Sequence, residues 1–337
     1  MKAMILAAGL GTRVRPLSTL KPKPLFPILN RPIIDILIRQ LKEAGCEAII
    51  INTHHLAERI ADYIAGQNYD IPVTTRFEPA ILGTAGGIKN VEDFWDDRPF
   101  IVINTDVLTD IDLSEVYRFH VSHDNAATLI LHDFPQFNNV QVNREDFVIG
   151  FDQPGTDRKL PATCRRLAFT GIQVIDPGVL EFIPKGEFAS SIDVYQAMSN
   201  TGPRVMGYIA SNHYWQDTGS FKGYRQAVRD CLEGKCRLPD ISPQKGRTYC
   251  GSNLVMGEKS KFDGWNSIGD NVTIGNDCLI ANSIIWDNVT IRDGVTITDS
   301  VVGDGAVVSK SISGKMLVRK VLLGSETGKS EIRNKYK

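Results

Sequence analysis

The run Met4-Ile5-Leu6 is short and apolar, and it opens into a loop holding two glycines, Gly9 and Gly11. Similar apolar runs recur at 48–52, 73–77, 100–104 and 127–132, the first covering 2–6. Helical spacing fills the gaps. Residues 32–44 carry apolar side chains at 33, 34, 37, 38 and 41, and Leu56, Ile60 and Ile64 fall four apart. This alternation predicts βαβ units and a mostly parallel, three-layer α/β sheet over residues 1–230. Ligands of such sheets bind beyond the carboxyl ends of the strands. The glycine loop and Asp106 both fall there, each just after a strand.

The texture then changes. Gly234, Pro239, Ser242, Pro243 and Gly246 break any pattern over 231–250, which reads as a linker. Beyond it an aliphatic residue returns every six positions, at Ile268, Ile274 and Ile280, then at Ile291 and Ile297, with a slip in register near Trp286. The period resembles the hexapeptide repeat, three of which make one triangular coil of a left-handed parallel β-helix with the aliphatic positions stacked inside. About three coils fit within 251–312. Their open ends need covering, by the first domain or by another subunit, so a homo-oligomer is expected. Residues 313–337 read as a basic C-terminal tail.

The 337 residues suffice for two domains and a sizeable core. With 38 basic and 39 acidic side chains, the net charge of −1 gives no electrostatic footprint for nucleic acid or an anionic membrane. No apolar run reaches transmembrane length, and the amino terminus lacks the three regions of a signal peptide, so a cytoplasmic enzyme is expected. Cys46, Cys164, Cys231, Cys236, Cys250 and Cys278 form no C-x-x-C pair and read as free thiols.

The glycine loop fits neither common nucleotide loop. No G-x-x-x-x-G-K-[ST] run occurs, and Val14 stands where a dinucleotide fingerprint needs its third glycine. Two glycines alone signal only a tight turn. The full string Leu6-Ala7-Ala8-Gly9-Leu10-Gly11-Thr12-Arg13, followed by Arg15-Pro16 and Lys21-Pro22-Lys23-Pro24-Leu25, says more. It resembles the amino-terminal signature of the sugar nucleotidyltransferases, the nucleoside-diphosphate-sugar pyrophosphorylases. The likeness covers roughly residues 1–228 and implies a Rossmann-like catalytic domain. These enzymes join a nucleoside triphosphate to a sugar 1-phosphate and release pyrophosphate. The nucleophile is already an anion at neutral pH, so the tools required are cations, backbone donors and Mg²⁺ rather than a general base.

The resemblance implies a role for each matching position. Leu6, Ala8, Gly9, Gly11 and Thr12 would lie along the nucleotide, Arg13 would hold the β- and γ-phosphates, and Lys23 would contact the α-phosphate. Arg15 and Lys21 carry no firm assignment. Asp106, in Asn104-Thr105-Asp106-Val107, and Asp217, in Trp215-Gln216-Asp217-Thr218-Gly219, match the magnesium ligands. Glu78 to Ile88, with Gly83 and Thr84, resembles the base-binding loop. A carboxylate accepts hydrogen bonds only, and guanine offers two adjacent donors, so Glu78 favours GTP. Thr170 and Gly171 match a turn near the hexose. Asp193 matches an often acidic position near the sugar hydroxyls, and Asp106 adjoins the same region.

One departure stands out. Where many relatives carry Glu-Lys-Pro, with the lysine on the sugar phosphate, this chain has Asp152-Gln153-Pro154. Mannose-1-phosphate guanylyltransferase is the leading reading, with heptose-1-phosphate guanylyl transfer and hexose-1-phosphate uridylyl or thymidylyl transfer as alternatives. A non-catalytic nucleotide-sugar sensor would be expected to lose one of Arg13, Lys23, Asp106 or Asp217, and all four are present. Hexapeptide acyltransferases use a histidine of the repeat, whereas His54, His55, His120, His123, His132 and His213 all precede it.

Overall fold

Strand formation follows the apolar runs. In a computed structural model, which describes residues 1–152, 160–202, 204–238 and 247–319, the first segments are β1 (Lys2–Leu6), a hairpin of β2 (Pro27–Ile28) and β3 (Arg31–Pro32), α1 (Ile33–Glu43), β4 (Ala48–Thr53), α2 (Ala57–Ala65) and β5 (Val73–Phe77). Next come α3 (Gly83–Lys89), β6 (Phe100–Asn104), β7 (Val107–Thr109), α4 (Leu113–His120), β8 (Ala127–His132), β9 (Val140–Val142), β10 (Val148–Phe151) and β11 (Arg165–Ile175). The unit closes with α5 (Ser191–Thr201), β12 (Val205–Ala210), β13 (Trp215–Asp217) and α6 (Phe221–Leu232).

The main sheet runs β10-β9-β11-β6-β1-β4-β5, with β8 pairing both β11 and β12. Strands β6, β1, β4 and β5 are mutually parallel, as their helical crossovers require. The long β11 enters against β6 and β8 in the antiparallel sense. Alternate residues of each strand feed opposite layers. Ala3, Ile5, Ile49, Ile51, Ile101 and Ile103 join one buried cluster, and Met4, Ile50, Phe100 and Val102 join another. Burial on both faces explains why these strands read as continuous aliphatic runs.

Expected boundaries shift at the carboxyl side. Helix α6 continues past residue 230, and Cys231, Cys236 and Leu238 beyond it are buried in the first core. The rest of the expected linker, 239–246, lies outside the described residues. From Thr248 to Leu317 short strands pair in parallel with strands one coil on, beyond the expected 251–312 at both ends. Thr248 pairs with Asn266, Ile284 with Val301 and Val301 with Met316, so the coils hold 18, 17 and 15 residues. The parallel stack is compatible with the expected β-helix. One residue is lost where Gly264 and Trp265 face Asn282 alone, between the pairs Asp263–Ala281 and Asn266–Ser283. That loss is the register slip seen in the sequence. The inward column, including Ile268, Ile274, Ile280, Ile291 and Ile297, forms a third buried cluster. Of the expected tail, only residues up to 319 are described.

The coils pack on the first domain. Trp265, Ile284, Trp286 and Val301 belong to the same buried cluster as Phe26, Tyr224 and Val228. Phe26 meets Trp286 edge-on at 4.8 Å, and Tyr224 at 5.4 Å. Arg225 donates to Asn282 O and to Asp299 Oδ1, each at 2.8 Å. All six cysteines are free thiols, four of them buried.

Candidate active site

The loop after β1 is held open by its own backbone. Ala7 N donates to Asn52 Oδ1 at 2.8 Å, fixing the loop to the end of β4. Gly11 sits at φ +60°, where a side chain is strained, and a Cβ there would come 3.0 Å from Ser18 Cβ. Ser18 Oγ donates to Gly11 O at 2.7 Å. Nothing lies within 4 Å of where a Cβ of Gly9 would be, which leaves its backbone open to a ligand.

A cavity of about 320 Å³ opens over this loop, at the carboxyl ends of β1, β4 and β6. Leu6, Ala8, Gly9, Gly11 and Thr12 line it together with Gly83 and Thr84, and so do Arg13, Lys23 and Asp106. The sequence brought these ten positions forward, and the fold brings them together.

Two carboxylates and two cations meet here, three of them lining the cavity and the fourth, Asp217, lying behind Arg13 and outside the lining. Arg13 Nη2 lies 3.7 Å from Asp106 Oδ2 and Arg13 Nη1 lies 3.9 Å from Asp217 Oδ2. Lys23 Nζ lies 3.5 Å from Asp106 Oδ2. Strand pairing makes this convergence. Asp217 opposes Val107 in the β13–β7 ribbon, and Thr218 N donates to Asp106 O at 2.8 Å. A side chain at Gly219 would collide with the Arg13 guanidinium, so the glycine makes room for the arginine. The Arg13 side chain is 60% exposed and so accessible to a ligand, whereas that of Lys23 is 10% exposed. Burial pushes the Lys23 ammonium below the ordinary lysine range, and Asp106 and Asp217 pull it part of the way back. A cation held in a dry setting exerts a stronger field on a nearby anion than one in water.

Four expected contacts are corrected. Glu78 is fully buried; its Oε1 accepts from Asn52 Nδ2 at 2.8 Å and its Oε2 from Leu82 N at 3.2 Å. Both oxygens are occupied within the protein, so the guanine argument built on that carboxylate falls. The Thr170 hydroxyl is also internal, donating to Ile130 O at 2.8 Å and accepting from Ile172 N. Gly171 has φ +80°, and a Cβ there would meet Asn104 Nδ2 at 2.9 Å; the glycine seats the Asn104 side chain and does not itself line the cavity. Asp193 is exposed on the first turn of α5, away from the cavity lining. Gln153 and Pro154 lie outside the described residues. Arg166 is paired with Asp152, the residue just before them. Arg15 is exposed, and Lys21 turns from the cavity to Asp304 at 2.7 Å.

Sequence reasoning missed Asn52, Asn104 and Thr105, all of which line the cavity. Each is a polar residue at or just past the end of an apolar strand, a signal that was available. Asn52 is the junction of the site: through Ala7 it holds the glycine loop, and through Glu78 it holds Leu82 and the start of α3. That second loop is strapped to α5 by Ala85 N to Ala189 O at 3.0 Å and Ser191 N to Thr84 Oγ1 at 2.8 Å. Replacing Asn52 by Ala leaves buried Ala7 N–H and Glu78 Oε1 unpaired. A loss of about 1–3 kcal/mol is expected in urea unfolding, with a raised KM for the triphosphate. Unchanged values for both would show that the junction carries no load.

Comparison with known proteins shows the family and agrees with the fold. The family model described as nucleotidyl transferase matches residues 2–234. A UTP–glucose-1-phosphate uridylyltransferase of Synechocystis sp. is 32% identical over 279 residues, covering 76% of this chain and 70% of that one. A mannose-1-phosphate guanylyltransferase of Mycobacterium tuberculosis is 29% identical over 279 residues, covering 81% and 76%. Among solved structures, a putative glucose-1-phosphate thymidylyltransferase of Bacillus anthracis in complex with a sucrose superposes with TM-score 0.59 at 22% identity, covering 73% of this chain and 98% of that one. The glycine loop, its two cations and the facing aspartates thus sit in a chain that belongs to the nucleotidyl transferase family.

Proposed function

We propose that this protein transfers a nucleotidyl group from a nucleoside triphosphate to a sugar 1-phosphate, giving a nucleoside-diphosphate sugar and pyrophosphate. The observation that carries this reading is that Arg13, Lys23 and Asp106 line one cavity and meet one another there, with Asp217 joined to them through Arg13. A phosphate oxygen of the sugar phosphate attacks the α-phosphorus, the bond from that phosphorus to the bridging oxygen breaks, and pyrophosphate carries the electron pair away. No proton has to be removed from the nucleophile. Arg13, with its exposed planar fork, suits the departing phosphates, and Lys23, shorter in reach and buried, suits the α-phosphate.

The two aspartates fit a divalent ion such as Mg²⁺. Among the described residues no group of three or more His, Cys, Asp and Glu is placed to hold a metal alone. Two carboxylates completed by phosphate oxygens and water is the coordination that Mg²⁺ favours. When bound, the ion would neutralise charge on the phosphate oxygens.

Guanylyl transfer to mannose 1-phosphate stays the leading specific reading on the sequence resemblance, and uridylyl transfer to a hexose 1-phosphate is the competing one. With the Glu78 carboxylate occupied, no side chain of the base loop decides between them. We read the coil stack as the left-handed β-helix of the hexapeptide proteins, on the strength of its parallel pairing at 15–18-residue intervals. The deciding experiment is a matrix of GTP, UTP, dTTP and ATP against mannose, glucose and heptose 1-phosphates, read by pyrophosphate release. One pair turning over well above the rest is expected. Absence of pyrophosphate from every pair, with Mg²⁺ supplied, would sink the reading.

A further inference from the structure

Trp286, four residues past the register slip at Asn282, does not point into the coils. Trp286 is 2% exposed and packs in the first domain's cluster, while its neighbour Ile285 faces the coil interior. What it packs against is the segment that carries Lys23. The ring lies 4.8 Å from that of Phe26, three residues after Lys23, and 4.9 Å beneath the ammonium of Lys21, two residues before it. Its Nε1–H donates to the Tyr224 hydroxyl at 3.1 Å, which in turn donates to Pro27 O at 2.6 Å. The same Lys21 ammonium lies 2.7 Å from Asp304 Oδ2 on the next coil. Farther along, Asn30 Nδ2 donates to Asp270 Oδ1 at 3.3 Å.

Lys23 itself stands in a three-residue 3-10 turn, Lys23–Leu25, too short to hold its own position. Its flanks are fixed from outside: Ile33 N of α1 donates to Phe26 O at 3.1 Å, and the other fixing groups named above belong to the coil domain or reach it through Tyr224. We propose that Trp286 and Asp304 are positioning residues for Lys23, which makes the coil domain a working half of the phosphate site. This rests on the assignment of Lys23 made above. A misplacement of about 1 Å in a charge that must meet the transition state is enough to cost a large part of its effect.

The test is a double-mutant cycle on the full chain, read by steady-state pyrophosphate release, with far-UV circular dichroism and thermal melting to check folding. Trp286→Ala is expected to lower kcat by about tenfold or more with the triphosphate KM changed less than about threefold. In a Lys23→Met background the same change should have almost no further effect, because the group it positions is gone. Trp286→Phe keeps the ring against Phe26 and should recover most of the lost turnover. Should Trp286→Ala fail to fold, Asp304→Asn carries the cycle, with a smaller loss of about threefold or more and the same lack of additivity. A kcat equal to wild type in the folded variant, or a loss that multiplies in full onto that of Lys23→Met, overturns the proposal and leaves the contact as domain packing only. Wild-type turnover in Lys23→Met overturns the assignment of Lys23 itself, a separate failure visible before the cycle is read.

Discussion

Lys23→Met is expected to lower kcat by about 10²–10³-fold, the cost of removing one preorganised donor from a site of developing charge. Methionine keeps the length and the apolar stem, so packing beside Pro22 and Pro24 survives. The buried ammonium is held at a cost in solvation, as its lowered pKa records, so its removal should leave the melting temperature unchanged or slightly raised. Loss of turnover together with undiminished stability separates a functional cation from a structural one. The pH profile supplies a second reading. Lys23 acts in its charged form, so kcat/KM is full below its depressed pKa and falls as pH rises through it. Between that depressed value and the ordinary lysine value, the unfolded chain binds more protons than the folded one, so stability rises with pH in the same window. Activity and stability should therefore move in opposite directions on the alkaline side, and Lys23→Met should abolish both trends. Retention of normal kcat would remove Lys23 from the chemistry.

Asp106→Asn should be at least as damaging to turnover, by about 10²-fold or more, with the fold intact. Two consequences of the geometry act together. The carboxylate is one of the two groups placed to hold a divalent ion, so the Mg²⁺ concentration giving half-maximal rate should rise. It is also the strongest of the influences that hold the Lys23 ammonium charged against its burial. Neutralising it should shift the alkaline fall in kcat/KM to lower pH. Measuring rate against Mg²⁺ at several pH values distinguishes the two effects. Near-normal turnover with an unmoved Mg²⁺ dependence would refute the metal assignment.

How much of this was visible in the chain itself depends on what kind of information each element needs. The strands at 2–6, 100–104 and 127–132 fall at the expected residues because they are buried almost throughout and their composition says so, and the edge strand at 73–77 does so although it is half-exposed. Arg13 and Lys23 could be picked out by their spacing after the glycine loop, and Asp106 and Asp217 by the resemblance of their strings to family motifs; the fold brings the four together. Glu78 and Thr170 were misread for one shared reason. A polar side chain just past a strand, like Glu78, or within one, like Thr170, can serve a ligand or the protein itself, and only the folded partners, Asn52 and Leu82 in one case and Ile130 in the other, decide which. Asn52 was overlooked in the reverse sense, as an unremarked end to an isoleucine run. Trp286 was noticed as a break in a pattern, but nothing local in the sequence tells that an aromatic leaving one core has entered another.

The shared cluster of Phe26, Tyr224, Trp265 and Trp286 bears on where this molecule can be divided. The nucleotidyl transferase match ends at residue 234, and the chain before that point looks like a complete catalytic unit. Part of its surface is nonetheless covered by the coils. A cut after α6 would strip the indole from Phe26, leave the Lys21 ammonium without its carboxylate, and expose an aromatic face that had been interior. Evolution can trim or exchange an appendage attached by a tether, but here a loss of the coils would have to be accompanied by a rewritten surface beneath them. The two parts are therefore bound to change together, residue against residue, along the seam at Trp286.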